Sequence, residues 1–214
     1  RASFARYAGI AGKEDLALDT FSKAVELSTR NEIVYYERAD FFRRKKEYLR
    51  AVDDYTRSIE GNPKYREGEA ISQRGRCYYF LDRFDKAMAD FQKAIEIDTK
   101  DAENYYHIGM IKQKQKSYEE AIRYFSITVG LDPRYADAHS NRGVCYDLIH
   151  NEELAVSDLK TSIRLDPRDP FDYNYLGIML MHRKQYEDAI PFFSMVLALD
   201  ANHKTAHKNR GVCY

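Results

Sequence analysis

Six histidines and three cysteines carry the most specific chemistry in this 214-residue chain. Imidazoles ligate metals and move protons at neutral pH, and thiolates attack electrophiles or bind zinc. The histidines are His107, His139, His150, His182, His203 and His207, and no HExxH or paired CxxC pattern joins them to ligand partners. A glycine-rich phosphate loop and a nucleophile elbow are also absent from the sequence. Acidic pairs such as Asp53-Asp54, Glu119-Glu120 and Glu152-Glu153 are expected to open helices, where negative charge suits the helix dipole. No catalytic residue, metal or other cofactor is expected, and the chain does not read as an enzyme. What stands out is an interval. Cys77, Cys145 and Cys213 are spaced 68 residues apart, as are His139 and His207.

That interval is twice a shorter one. Asn141-Arg142-Gly143-Val144-Cys145-Tyr146 recurs unchanged at residues 209–214, and Gln73-Arg74-Gly75-Arg76-Cys77-Tyr78 is a near version. With the small residue as anchor, the series is Ala5, Ala39, Gly75, Gly109, Gly143, Gly177 and Gly211, with gaps of 34, 36, 34, 34, 34 and 34. Twelve residues after the first six anchors stand Ala17, Ala51, Ala87, Ala121, Ala155 and Ala189; sixteen after stand Phe21, Tyr55, Phe91, Phe125, Leu159 and Phe193. Small or modest residues follow at nineteen, and Pro63, Pro133 and Pro167 at twenty-four. Residues four before, one before and three after each anchor are mostly bulky, with Lys112 an exception. This is the spacing of one helix face. A mid-helix glycine costs about 1 kcal/mol against alanine, tolerable where a second helix must approach closely, and the alanine twelve residues on is its natural partner. Proline then ends the unit. Each unit is a helix hairpin that cannot bury its apolar face alone, so neighbours must stack.

The period and the small-large-small-proline order resemble the tetratricopeptide repeat. The resemblance implies an all-α, right-handed superhelical solenoid of stacked antiparallel helix hairpins. On this register residues 1–31 form repeat 1 (cut at its start), 32–67 repeat 2, 68–101 repeat 3, 102–135 repeat 4, 136–169 repeat 5, 170–203 repeat 6 and 204–214 the first helix of repeat 7, one continuous array. The first hairpin is expected at Ala2 to Ile10 and Glu14 to Ser28, with Gly9 and Gly12 in its turn. The two extra residues of the second gap fall near Gly61–Gly68 and predict a local change in stacking. Pro191, inside a second helix, should bend it slightly. The chain lacks an initiator methionine and a final capping helix, so it is expected to be a fragment.

Charge is high but balanced, with 34 basic and 34 acidic residues. A balanced chain argues against nucleic-acid binding, and no apolar run approaches the ~20 residues of a membrane span. The cysteine slot holds Tyr7, Phe41, Ile111 and Met179 in the other repeats, so the thiols are expected to be buried filler. Stacked helices lie about 8–10 Å apart, which puts the cysteines about 20 Å apart, beyond the ~7 Å reach of a disulfide. Free thiols fit a reducing, cytoplasmic setting. His139 and His207 share one core-facing slot and are expected to pack rather than ligate.

The resemblance further implies that the first helices line the inner surface, through residues three before and one, four and five after the anchor. Those slots give a groove charged early and apolar late. The candidate partner-binding residues are Arg43, Arg44 and Arg76 at the basic end, then Met110, Asn141, Val144, Leu148, Phe171, Asn174, Ile178 and Met181. Arg6 belongs to the basic end as well. The carboxylate clamp by which some relatives hold chaperone tails is not assembled, because the slots around Asn141 hold Tyr106, Met110, Phe171 and Tyr175. The function implied is a scaffold or adaptor that binds protein segments, extended or helical, in its concave groove, with no nucleic acid and no membrane among its partners. Self-association through the terminal repeats and a role as substrate-recruiting arm of a larger enzyme are the alternatives.

Overall fold

The computed structural model describes residues 14–27, 31–62 and 64–214, with side chains from residue 18 onward. The helix expected at 2–10, its glycine turn, Arg6 and Pro63 lie outside the described residues. Among the described residues there are twelve helices and no strand: α1 Glu14–Leu27, α2 Asn31–Arg44, α3 Tyr48–Gly61, α4 Glu67–Phe80, α5 Phe84–Ile97, α6 Ala102–Lys114, α7 Tyr118–Leu131, α8 Ala136–Leu148, α9 Glu152–Leu165, α10 Pro170–His182, α11 Tyr186–Leu199 and α12 Lys204–Cys213. Two compact units divide the chain, Arg1–Ile111 and Lys112–Tyr214, with the division inside α6. Helix α11 carries through Pro191. The connection expected at 61–68 is shorter than its sequence suggested, because Gly61 closes α3 and Glu67 opens α4.

Among the described residues, each turn from a first to a second helix is built the same way. One residue takes the left-handed conformation: Lys46, Asp82, Lys116, His150 or Lys184, with φ between 55° and 62°. The next N–H then reaches back to a carbonyl of the finished helix, as in Glu47 to Phe42 at 2.9 Å, Asn151 to Tyr146 at 2.8 Å and Gln185 to Leu180 at 3.0 Å. This closure satisfies carbonyls the helix end would leave open. It is usually built on glycine, and here lysine, aspartate and histidine carry it.

The core follows the anchor arithmetic. Phe21, Tyr55, Phe91, Phe125, Leu159 and Phe193 are all fully buried, as are Ala51, Ala87, Ala121, Ala155 and Ala189. Full burial of such a large side chain is worth about 1.5–3 kcal/mol. The glycines make room for them. A Cβ on Gly75 would stand 2.9 Å from the Phe91 ring, on Gly143 3.0 Å from Leu159 Cγ, and on Gly177 2.8 Å from Phe193. Lys112, the exception to the apolar spacing, keeps its ammonium at the surface by pairing with Glu120 at 2.7 Å.

The position before the anchor corrects the sequence analysis. It is not simply bulky: it holds Arg38, Arg74, Arg142 and Arg210, with Ile108 and Leu176 at the fourth and sixth anchors. Arg38 grips Asp54 with two bonds of 2.6 and 2.7 Å, Arg74 grips Asp90 at 2.9 and 2.8 Å, and Arg142 grips Asp158 at 2.6 and 2.8 Å. Asp54 therefore does not open a helix beside Asp53. It lies buried in the middle of α3. Arg74 and Arg142 use a third N–H on the preceding second helix, at Thr56 and Ser126, both 3.1 Å away. One guanidinium thus ties three helices, with the fork geometry that lysine lacks. In the α10–α11 hairpin the same positions hold Leu176, buried in the core, and Phe192, packed against it.

Candidate functional site

The inner slots behave differently in the two units. In the unit ending at Ile111, charged side chains close on one another. Arg43 and Arg44 both pair with Asp40, at 2.5 and 2.8 Å, and Arg76 pairs with Glu103 at 2.7 Å. Glu103 also faces His107 Nε2 at 3.7 Å. His107 is buried, stacks on Phe91 with ring centroids 5.2 Å apart, and has no hydrogen-bond partner on either ring nitrogen. Burial pushes its pKa down, more strongly than Glu103 can raise it. The facing His107 ring and the Arg76 charge hold Glu103 below the usual carboxylate range despite its burial. Met110 is half-buried at the end of this unit, and exposed Phe80 lies flat on Tyr48 at 4.9 Å. The basic end is therefore offset, residue by residue, by its own acids.

The unit from Lys112 onward opens instead. Between α8 and α10 lies a cleft of about 580 Å³, lined by Leu148, Ile178 and Met179 together with Asp147, Tyr175 and Arg183, among others. Leu148, at the end of α8, is 43% exposed. Ile178 reaches the cleft while packing against the core around Phe193. The Tyr175 hydroxyl donates to Asp147 at 2.9 Å. Burial and that carboxylate push the phenol well above its ordinary pKa, so it stays a donor. At the rim Arg183 pairs with Glu152 at 2.5 Å and ties α9 to α10.

Of the other expected residues, Phe171 is exposed and leans over Tyr175 at 5.9 Å. Asn174 is half-buried, with an enclosed Oδ1 that has no partner. Val144 and Met181 are half-buried and pack into core clusters. Asn141 turns its amide back onto the Asp137 carbonyl at 2.8 Å. The sequence analysis missed His150, Glu152, Met179 and Arg183 as cleft residues. They come from the turn and from neighbouring helices, and the only signal was the opposite charge of Glu152 and Arg183.

The remaining chemistry-bearing residues are structural. Cys77 and Cys145 are fully buried, and burial pushes both thiols up to about 12. All three cysteines are free. His139 is buried, 3.2 Å from both Asp158 and the Pro133 carbonyl. His207, expected in the same core-facing slot, is exposed and touches the Ala201 carbonyl at 2.9 Å. Among the described residues no group of three His, Cys, Asp or Glu could hold a metal ion, and no helix is long and apolar enough to cross a membrane.

Comparison with known proteins agrees with this architecture. Residues 68–101 and 106–170 match models of the tetratricopeptide repeat. Human tetratricopeptide repeat protein 6 is 24% identical over 90% of this chain and 44% of its own length. The Hsp70-Hsp90 organizing protein of Triticum aestivum is 24% identical over 89% of this chain and 39% of its own. The chain thus spans less than half the length of these relatives. Among solved structures, YrrB, a TPR protein with an unusual peptide-binding site, superposes with a TM-score of 0.62 at 26% identity, over 77% of this chain and 84% of its own. With the hairpins, the buried anchor partners and these matches in place, residues 68–101 and 106–170 are tetratricopeptide repeats and the described residues share their all-α hairpin architecture.

Proposed function

We propose that this chain is a non-catalytic interaction scaffold that captures a protein segment along the inner face of its first helices, anchored in the cleft between α8 and α10. The cleft carries this reading. It combines an apolar floor at Leu148, Ile178 and Met179 with fixed polar groups at Tyr175 and Asp147, the composition of a ligand site. Exposed Phe171 extends the apolar surface outward. An extended or short helical segment bearing one large apolar side chain suits this arrangement. The similarity to a peptide-binding TPR protein supports the class of partner. The self-neutralised arginines in the other unit speak against nucleic acid as ligand, and the free, buried thiols favour a reducing compartment such as the cytoplasm.

The test is a display library of random 16-residue peptides, followed by fluorescence anisotropy of the selected sequences. Leu148→Asp should leave helicity intact, since Leu148 is 43% exposed, and should weaken binding by at least tenfold. Arg43→Ala should change it less than twofold. Failure to select any peptide, or equal affinity for the Leu148→Asp variant, removes this reading.

A further inference from the structure

In the unit ending at Ile111 the inner-slot charges are answered close by. Arg43, four residues after its anchor, pairs with Asp40 three residues earlier on the same helix, and Arg76 pairs with Glu103 on α6. In α8 the slot of Arg43 holds Asp147, with Val144 three residues earlier and Gly143 four, so its own helix offers no counter-charge there. Arg183, at the rim, is turned to Glu152 with two bonds, Nε at 3.1 Å and Nη2 at 2.5 Å. Among the described residues the Asp147 carboxylate takes part in no ion pair, and its Oδ2 accepts from the Tyr175 hydroxyl at 2.9 Å. That phenol stays protonated. A carboxylate offers about four lone-pair sites, so one neutral donor orients Asp147 and leaves its charge in place. With His150 and His182 neutral, the cleft lining carries Asp147 and Glu152 against Arg183, and the excess negative charge sits at Asp147. It stands beside the apolar floor: Leu148 is the next residue, and Tyr175, Ile178, Met179 and His182 follow one face of α10.

We infer that the protein segment captured in this cleft is basic: it carries an arginine or lysine beside its apolar anchor, and Asp147 is the residue that selects it. The inference rests on the capture proposed above and adds the chemistry that chooses among segments. Arginine and lysine join an aliphatic stem to a charged tip. The stem lies on the floor of Leu148, Ile178 and Met179, and the tip meets the Asp147 oxygen that Tyr175 leaves open. Arginine suits the place better, because its planar fork matches a carboxylate already fixed in orientation. An acidic segment meets the same charge and is repelled, so Asp147 rejects wrong partners as well as holding the right one.

The probes are the random 16-residue peptides selected on the native chain, set beside a parallel selection on Asp147→Asn. The amide keeps the side chain's shape and an acceptor for Tyr175, so helicity should not change. Peptides selected on the native chain should carry arginine or lysine next to an apolar residue, and those selected on the variant should show no such enrichment. By anisotropy, Asp147→Asn should weaken the native-selected peptides at least fivefold, and replacing their arginine with citrulline, its neutral isostere, should do the same. Both changes together should cost less than twice what either costs alone, because they remove one interaction. Raising salt from about 50 to about 500 mM should weaken the native complex more than the Asp147→Asn complex. Selected peptides without a basic residue, equal affinity for Asp147→Asn, or fully additive losses overturn the inference. Leu148→Ser separates it from the capture itself, since it trims the floor without adding charge. Peptides that lose affinity on Leu148→Ser but not on Asp147→Asn leave capture standing and overturn the charge preference alone. If no peptide is selected, both fall.

Discussion

The inner faces of the two units are made from the same slots and come out opposite. Where the slots carry Asp40, Arg43 and Arg76, the side chains are complementary to one another or to nearby Glu103. They pair with one another and cover buried His107. Where the slots carry Leu148 and Ile178, those side chains have no charge to pair, and a cleft of about 580 Å³ is left beside the Tyr175–Asp147 bond. A charge at an inner slot finds its own counter-charge and closes the surface. A short apolar side chain leaves the surface open to something else. In this chain, charges paired within the groove mark the self-satisfied part and an apolar floor marks the available part.

The comparison is sharpest if the scaffolds beneath the two faces are equal. Asp90→Ala in one unit and Asp158→Ala in the other each leave a half-buried arginine without its carboxylate, and each should cost about 2 kcal/mol. Native-state hydrogen exchange reads α5 and α9 separately and checks both. The double variant Arg142→Leu with Asp158→Phe, which copies Leu176 and Phe192, should recover most of the loss. A large difference between the two aspartates would mean that the units differ in framework as well as in surface.

A smaller effect separates the faces by pH. The folded pKa of His107 lies below its unfolded value of about 6.5, so the unfolded chain takes up the proton first. Stability is full above that value and falls as pH drops through it towards the lower folded value. Glu103, Asp101 and Arg76 are the charged groups facing the ring. Exchange protection in α6 should therefore fall between pH 7 and pH 5 in the native chain and stay level in His107→Gln, while α8 and α10 show no His107-dependent change. An unchanged slope in the variant would break the account of the closed face.

The smallest expected effect should be common to both units. Lys46→Gly and Lys184→Gly each relieve a left-handed φ, near 61–62°, in the same turn. Each should stabilise its hairpin by up to ~1 kcal/mol, read as a shift in thermal midpoint. Unequal gains would show that the turns, too, have diverged.

The hairpins were legible because a small anchor, an alanine at twelve and a large residue at sixteen have to meet for two helices to touch. Phe91 over Gly75 and Phe193 over Gly177 are those meetings. The Arg142–Asp158 fork was not legible, because an arginine and an aspartate sixteen residues apart look like two solvated charges until the hairpin closes. The left-handed turns were hidden for a related reason: lysine and histidine occupy a position where glycine would have announced it. At the candidate site, Leu148 and Ile178 could be read from the slots. The rim pair Glu152–Arg183 depends on how far α9 stands from the end of α10, and no periodicity encodes that distance.

The buried cysteines have a use that their inertness creates. Cys77 lies in one unit and Cys145 in the other, both fully enclosed and both with thiols pushed up to about 12. A thiol reagent cannot reach either until its surrounding helices part. The rate at which each sulfur is labelled is then a clock for the opening of its own unit, built in two repeats apart. Because the two clocks are native residues, the breathing of each half can be timed in the unaltered chain, with and without a bound partner.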